Sequence, residues 1–284
     1  MADSCNNISA VIRTLNEEER IGVLLDTLRA QKNAGADLEI VVVDSGSTDK
    51  TLAIVRQHKV KLIQIHPEEF NYSKALNLGI AESLGDFIFV LSGHTVPASR
   101  DWVSQMTQHF ADPAVAGVYC RQKAWDDAGR HERRRILATF GNVSRTITSS
   151  TEDEIAFSNA ASCVRRSVWE KHRFKVLPAA EDREWAEWAL AHQYKIVYDA
   201  EAAVYHSHNE SARKAAKRLI EIERNTDIQR RRKRTRALTI CQALKCFVEL
   251  AKSDITMDAC ISEKVRAIIQ DTKYVLWFIL DFKN

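Results

Sequence analysis

Two acidic positions have the setting in which a carboxylate does chemistry. In VVVDSGSTDKT a β-branched run ends on Asp44, turns on Gly46 and enters a helix through Ser, Thr and Asp. A carboxylate there can accept from the N–H of a base or from ribose hydroxyls. The same pattern also serves a plain strand–turn–helix junction capped by Thr48 or Asp49. Glu181-Asp182 precedes the amphipathic stretch Arg183–Ala191, a helix start at which negative charge is favoured. In Val204-Tyr205-His206-Ser207-His208-Asn209 the two imidazoles lie two positions apart. On a strand, they share a face. The six cysteines include no CxxC pair and no close Cys/His cluster, which argues against structural zinc and for buried thiols of a reducing compartment.

These groups must be positioned by the elements around them. Ile8–Arg13, Glu39–Val43, Lys61–Ile65, Phe87–Leu91 and Val115–Tyr119 read as apolar strands. Between them, 17–31, 50–58, 73–83 and 101–110 read as helices, the first with Ile21, Leu24, Leu25 and Leu28 on one face. Strand–helix alternation implies a parallel sheet covered on both faces, with ligands beyond the C-terminal strand ends. Arg13-Thr14, Asp44-Ser45-Gly46 and Ser92-Gly93-His94 all occupy such ends, so one rim is expected to carry one site. Downstream, Trp125–Thr151 looks irregular, with Arg133–Arg135 as a basic cluster. A short apolar stretch at Phe157–Val164, helices near Arg166–Lys171 and over Glu181–Ala191, and strands at Lys195–Tyr198 and Ala203–His206 follow. Trp185 is expected in the core. Past Ser211 only helices are expected, at about 211–230, 237–252 and 259–280.

With 284 residues, 45% apolar and 28% charged, the chain is neither disordered nor low in complexity. Its net charge of +3 is an average over unlike parts. Residues 211–240 carry eleven Lys/Arg against three acidic residues, whereas residues 1–210 carry 24 against 29. MADSCNNISAV lacks the positive flank and long apolar core of a signal peptide, and Tyr274–Leu280 is too short to span a bilayer. A cytoplasmic protein is expected, with peripheral contact to the inner face of the cell membrane as a further expectation.

Six ordered segments resemble family 2 inverting glycosyltransferases of the nucleotide-diphospho-sugar (GT-A) fold. They are VIRTLNEEERI, VVVDSGSTDKT, FNYSKALNLGI, GDFIFVLSGHTVP, FSNAASCVRRSVWEKHRF and AAEDREWAEWALAHQYKIVYDAEAAVYHSHN, across roughly residues 8–210. The resemblance implies an α/β fold with a Rossmann-like, mostly parallel sheet over 1–210; the charge step and the helical patterns beyond it set off a basic helical appendage over 211–284. The resemblance implies that Thr14, Asn16, Glu17, Asp44, Ser45, Lys74, Asn77, Ser92 and His94 face the donor nucleotide and diphosphate. It places Ser158, Asn159 and Glu181 on the acceptor side and gives Asp182 the role of catalytic base. Inversion needs such a group to take the acceptor hydroxyl's proton during a single displacement.

One departure matters. The family's Asp-x-Asp-like motif is replaced by Ser92-Gly93-His94, with no acidic residue between Asp86 and Asp101. His94 then has two readings: ligand to a divalent cation (Mn²⁺ or Mg²⁺) together with His206 and His208, or metal-independent donor to the diphosphate. The resemblance implies a UDP- or dTDP-sugar donor and a glycan or lipid-linked acceptor, in the assembly of a bacterial surface polysaccharide, capsule or lipopolysaccharide. Arg133–Arg135 suits a solvated face or an anionic acceptor. The run Arg230–Arg236 suits a solvated helix face or an anionic membrane surface, and the apolar helices expected after it suit a membrane surface or a homo-oligomer interface equally. The run has no aromatic interleaving, so nucleic acid is not expected. Two rivals remain: a noncatalytic sugar-nucleotide-binding protein, and a nucleotidyltransferase on a related fold, which lacks its glycine- and basic-rich loop here.

Overall fold

The computed structural model describes residues 7–32, 38–149 and 156–208. The helices expected beyond residue 211, and the basic run among them, lie outside the described residues. Described residues up to Leu177 and again from Glu181 to His208 belong to one compact unit.

Four strands form the parallel half of the sheet: β1 (Ile8–Thr14), β2 (Glu39–Asp44), β3 (Lys61–Gln64) and β4 (Phe87–Ser92). The other half holds β5 (Val96–Pro97), β6 (Val115–Lys123), β7 (Arg145–Ile147), β8 (Ala161–Arg165) and β9 (Lys195–Tyr205). Strand order is β3-β2-β1-β4-β8-β6-β9-β5, with β7 beside β9. The helices are α1 (Ile21–Arg29), α2 (Thr51–Val55), α3 (Tyr72–Ala81), α4 (Trp102–Thr107), α5 (Arg130–Thr139), α6 (Arg166–Trp169) and α7 (Glu181–Ala191).

Period-two alternation sorts the strand residues between two cores. Ala10, Ile12, Ile40, Val42, Phe89 and Leu91 meet α1, α2 and α4 on one face. Val11, Val41, Val43, Ile88 and Val90 meet α3, α5, α6 and α7 on the other. Helix α1 docks through Ile21, Leu24, Leu25 and Leu28, all fully buried, each worth about 1.5–3 kcal/mol of apolar burial. Both described cysteines, Cys120 and Cys163, are free and buried, and burial pushes the Cys120 thiol up to about 12. Among the described residues, no helix is long and apolar enough to cross a membrane.

Three expectations need correction. The sheet is mixed, because β8 runs antiparallel to both neighbours, β4 and β6. Its apolar pattern carries no information about strand direction. The two strands expected at 195–206 are one, with a register jump at Asp199–Ala203 against β6. The Asp199 carboxylate accepts from the N–H groups of Glu201 and Ala202, which holds the extra residues as an irregularity inside a continuous strand. The stretch Trp125–Thr151 contains α5 and β7. Its inward stripe is Glu132, Ile136 and Phe140, and the buried charge hides the helical period. Arg135 satisfies Glu132 with two bonds of 2.8 Å. Arg133 closes the preceding turn on the carbonyls of Ala128 and Asp126.

Candidate active site

Parallel pairing brings the expected strand ends to one rim: Thr14 lies beside Asp44, and Arg13 beside Ser92. The loops beyond are stitched to one another. Asn16 adopts φ +54°, and its Oδ1 accepts from the Thr48 N–H at 2.8 Å. Thr51 Oγ1 accepts from the Glu17 N–H at 2.7 Å. Asp44 is fully buried, and its carboxylate accepts from the Gly46 and Ser47 N–H groups at 3.0 Å and from the Ser47 hydroxyl. The carboxylate thus shapes its own turn, leaving few lone pairs for a ligand. Gly93 packs so closely that a Cβ would stand 2.8 Å from Thr14 Oγ1, which explains the glycine between Ser92 and His94.

Several buried polar atoms on this rim lack a hydrogen-bond partner among the described residues: Thr14 Oγ1, Ser45 Oγ, Arg13 Nε and His94 Nε2. Burying such atoms unpaired costs about 1–3 kcal/mol each, so the rim is built for a polar occupant. Arg13 lies with its guanidinium 4.5 Å from the Tyr72 ring centroid, and its Nη2 donates to Ser92 Oγ at 3.4 Å.

The three histidines converge. Ring centroids are 4.8 Å apart for His94–His206, 5.1 Å for His94–His208 and 5.0 Å for His206–His208. One nitrogen from each lies within 4.8 Å of the other two. His94 Nδ1–H donates to Glu17 Oε1 at 2.7 Å. His206 Nδ1 meets Gln122 Oε1 at 2.9 Å, while Gln122 Nε2 donates to Ser158 Oγ at 3.1 Å. An acceptor opposite each Nδ1 favours the tautomer that carries the proton there, which in a neutral ring leaves the lone pair on Nε2. Burial, then the neighbouring His94 and His208, hold His206 well below the ordinary histidine range. It is neutral, as a ligand must be.

Asp182 begins α7 with Glu181; its Oδ2 accepts from the Asn159 N–H at 3.1 Å and its Oδ1 from the Arg183 N–H at 2.8 Å. Asn159 Nδ2 reaches Glu181 Oε1 at 3.4 Å. Burial foremost, then the Glu181 charge, push the Asp182 carboxyl up to about 7, against the lowering effect of the two N–H donors and of Arg13. A carboxylate that titrates there is matched to proton transfer at neutral pH. One hydrogen-bond route runs from His206 through Gln122 to Ser158, and the N–H of the next residue, Asn159, holds Asp182.

Two expected donor residues lie on α3. Asn77 uses its amide on the Trp169 indole N–H and on the N–H and carbonyl of Phe174, joining α3 to that segment. Lys74 is exposed on α3, and its N–H is capped by Asn71. Arg13 lies on the rim where its strand end was expected, whereas Gln122 has a place in the site that its spacing did not announce. The available signal was a long polar side chain within or ending an apolar strand.

Residues 9–172 match the family model for glycosyl transferase family 2. The chain is 30% identical over 230 residues to the O-antigen chain rhamnosyltransferase RfbN of Salmonella typhimurium, covering 75% of this chain and 70% of that one. It is 29% identical over 208 residues to the O-antigen chain rhamnosyltransferase WbaN of Salmonella anatum, covering 67% and 63%. Among solved structures, TarS 1–349 of Staphylococcus aureus superposes with a TM-score of 0.59 at 16% identity, over 96% of this chain and 72% of that one. A mannosyltransferase of Pyrobaculum calidifontis, solved with GDP-Man and Mn²⁺, gives 0.56 at 18% identity over 96% and 72%. At those identities the likeness is one of fold.

Proposed function

Because the chain belongs to glycosyl transferase family 2, we propose that it is an inverting glycosyltransferase with Asp182 as its base. The acceptor hydroxyl oxygen attacks the anomeric carbon, the bond from that carbon to the diphosphate oxygen breaks, and the hydroxyl proton passes to Asp182. The nucleoside diphosphate leaves with the bonding electron pair. The observation that carries this reading is the carboxyl of Asp182, fixed by two N–H groups and raised to about 7. A noncatalytic binding protein has no need of a base so tuned.

The donor is a nucleotide-diphosphate sugar, of the uridine or deoxythymidine series, on the rim formed by Thr14, Asp44, Ser45, Ser92 and His94. The names of RfbN and WbaN support a rhamnosyl-type sugar and a growing surface glycan or lipid-linked glycan as acceptor. Ser158, Asn159 and Glu181 face that acceptor. The basic run Arg230–Arg236 suits peripheral contact with an anionic membrane surface, where such an acceptor resides.

His94, His206 and His208 fit a divalent cation, because two of the three Nε2 lone pairs are set free by acceptors at Nδ1. The same feature disfavours direct donation to the diphosphate from those nitrogens. Imidazole donors suit Mn²⁺ or Zn²⁺ better than Mg²⁺, which prefers oxygen. Bound there, the cation would offset charge on the leaving diphosphate.

Thermal unfolding with UDP, dTDP, GDP and their sugars, with and without Mn²⁺, tests the donor assignment. Ligand at 100 times its Kd stabilises by about 2.7 kcal/mol, so one nucleotide series should raise Tm selectively. The anomeric configuration of the product, read by NMR, tests the stereochemistry. Retention, or no stabilisation by any nucleotide, would overturn the proposal.

A further inference from the structure

We propose that Gln122 is a positioning residue that locks His206 in its cation-binding tautomer. This inference rests on the reading of the three imidazoles as a cation site. Gln122 is buried near the end of β6, where Gln122 pairs with Val204 and Lys123 with Tyr205. The ladder runs on into the site, since the His206 N–H donates to the Lys123 carbonyl at 2.8 Å. That register brings the His206 ring beside the Gln122 side chain.

The amide works in both directions. Its Nε2–H donates to Ser158 Oγ, which orients the other end, Oε1, toward His206 Nδ1. An amide oxygen only accepts, so Nδ1 carries the proton and Nε2 keeps the lone pair that a cation needs. Ser158 Oγ also accepts from the Ala160 N–H at 3.4 Å. Glu17 plays the matching part at His94, where a carboxylate faces Nδ1. The two ring centroids lie 4.8 Å apart, and one nitrogen from each of the three imidazoles lies within 4.8 Å of the others, so each fixed tautomer bears on one shared cluster. Residues holding a ligand's second nitrogen typically govern metal affinity by about 10- to 100-fold.

Co²⁺ serves as the probe, because its visible absorption reports binding without turnover. The full chain, stripped by chelator, is titrated alongside Gln122→Leu and Gln122→Glu, each first checked for native unfolding. Gln122→Leu removes the acceptor and should weaken Co²⁺ binding about 10- to 100-fold. Gln122→Glu keeps an acceptor opposite Nδ1 and should restore affinity close to that of the unsubstituted chain. Equal affinity in the Leu variant would overturn the inference. So would a Glu variant as weak as the Leu variant. No saturable Co²⁺ binding by the unsubstituted chain removes the cation site and this inference with it, whether or not the chain transfers sugar.

Discussion

The surroundings of Asp182 change its chemistry, and its role has a pH signature. With the carboxyl raised to about 7 by burial and Glu181, log kcat/KM should climb with unit slope below that pH and level above it. A flat profile between about pH 5.5 and 8 contradicts the role. Stability moves the other way. An unfolded aspartate titrates near 3.9, so between about 4 and 7 the folded chain binds the proton more tightly than the unfolded chain. Its contribution is full below about 4 and is lost as pH rises through about 7. Asp182→Asn carries no such charge, so its Tm should gain on the unsubstituted chain as pH rises from 5 to 8. A Tm difference independent of pH would contradict the buried-carboxylate account. At this scale the sequence was informative where chemistry is marked by unusual residues: an acid at a strand end, paired acids before a helix, three histidines. Asn77 and Gln122 show the limit. Both are ordinary amides, and only tertiary pairing decides that one ties α3 to Trp169 and Phe174 while the other meets His206.

Elements position the site through their ends. The turn after β2 depends on Gly46, which takes φ +92° with Pro67 Cγ only 2.4 Å from where a Cβ would lie. Gly46→Ala therefore combines a left-handed backbone penalty with a collision, and should cost about 2 kcal/mol or more. Gly141, with nothing within 4 Å, is the control; Gly141→Ala should stay within about 0.5 kcal/mol. Urea unfolding of the two variants measures the contrast, and equal costs would contradict it. The strands β1, β2 and β4 were legible because their nearly continuous apolar runs signal burial on both faces. Helix α5 was not, since its inward stripe includes Glu132, and β9 read as two pieces because Asp199 interrupts its apolar run. Direction was the least legible property. Strand β8 is as apolar as its neighbours, and its reversal depends on the path of the chain before it.

Across the whole molecule, charge divides what the net of +3 conceals: an acidic excess over residues 1–210 and eleven basic residues against three acidic over 211–240. We expect that basic segment to bring the chain to an anionic surface. The full chain should float with anionic vesicles at low salt and lose that binding at high salt. Replacing the basic residues of Arg230–Arg236 by neutral ones should abolish it; unchanged flotation would contradict the assignment. The acidic domain, with its rim of strand ends, histidines and Glu181-Asp182, is where transfer is placed. The central claim is tested most directly by measuring sugar transfer and donor binding on the full-length Asp182→Asn variant. Loss of a general base costs about 10²- to 10⁴-fold in rate. The account predicts a loss of that size with the Kd of the nucleotide sugar unchanged. Transfer within a few-fold of the unsubstituted chain would contradict it.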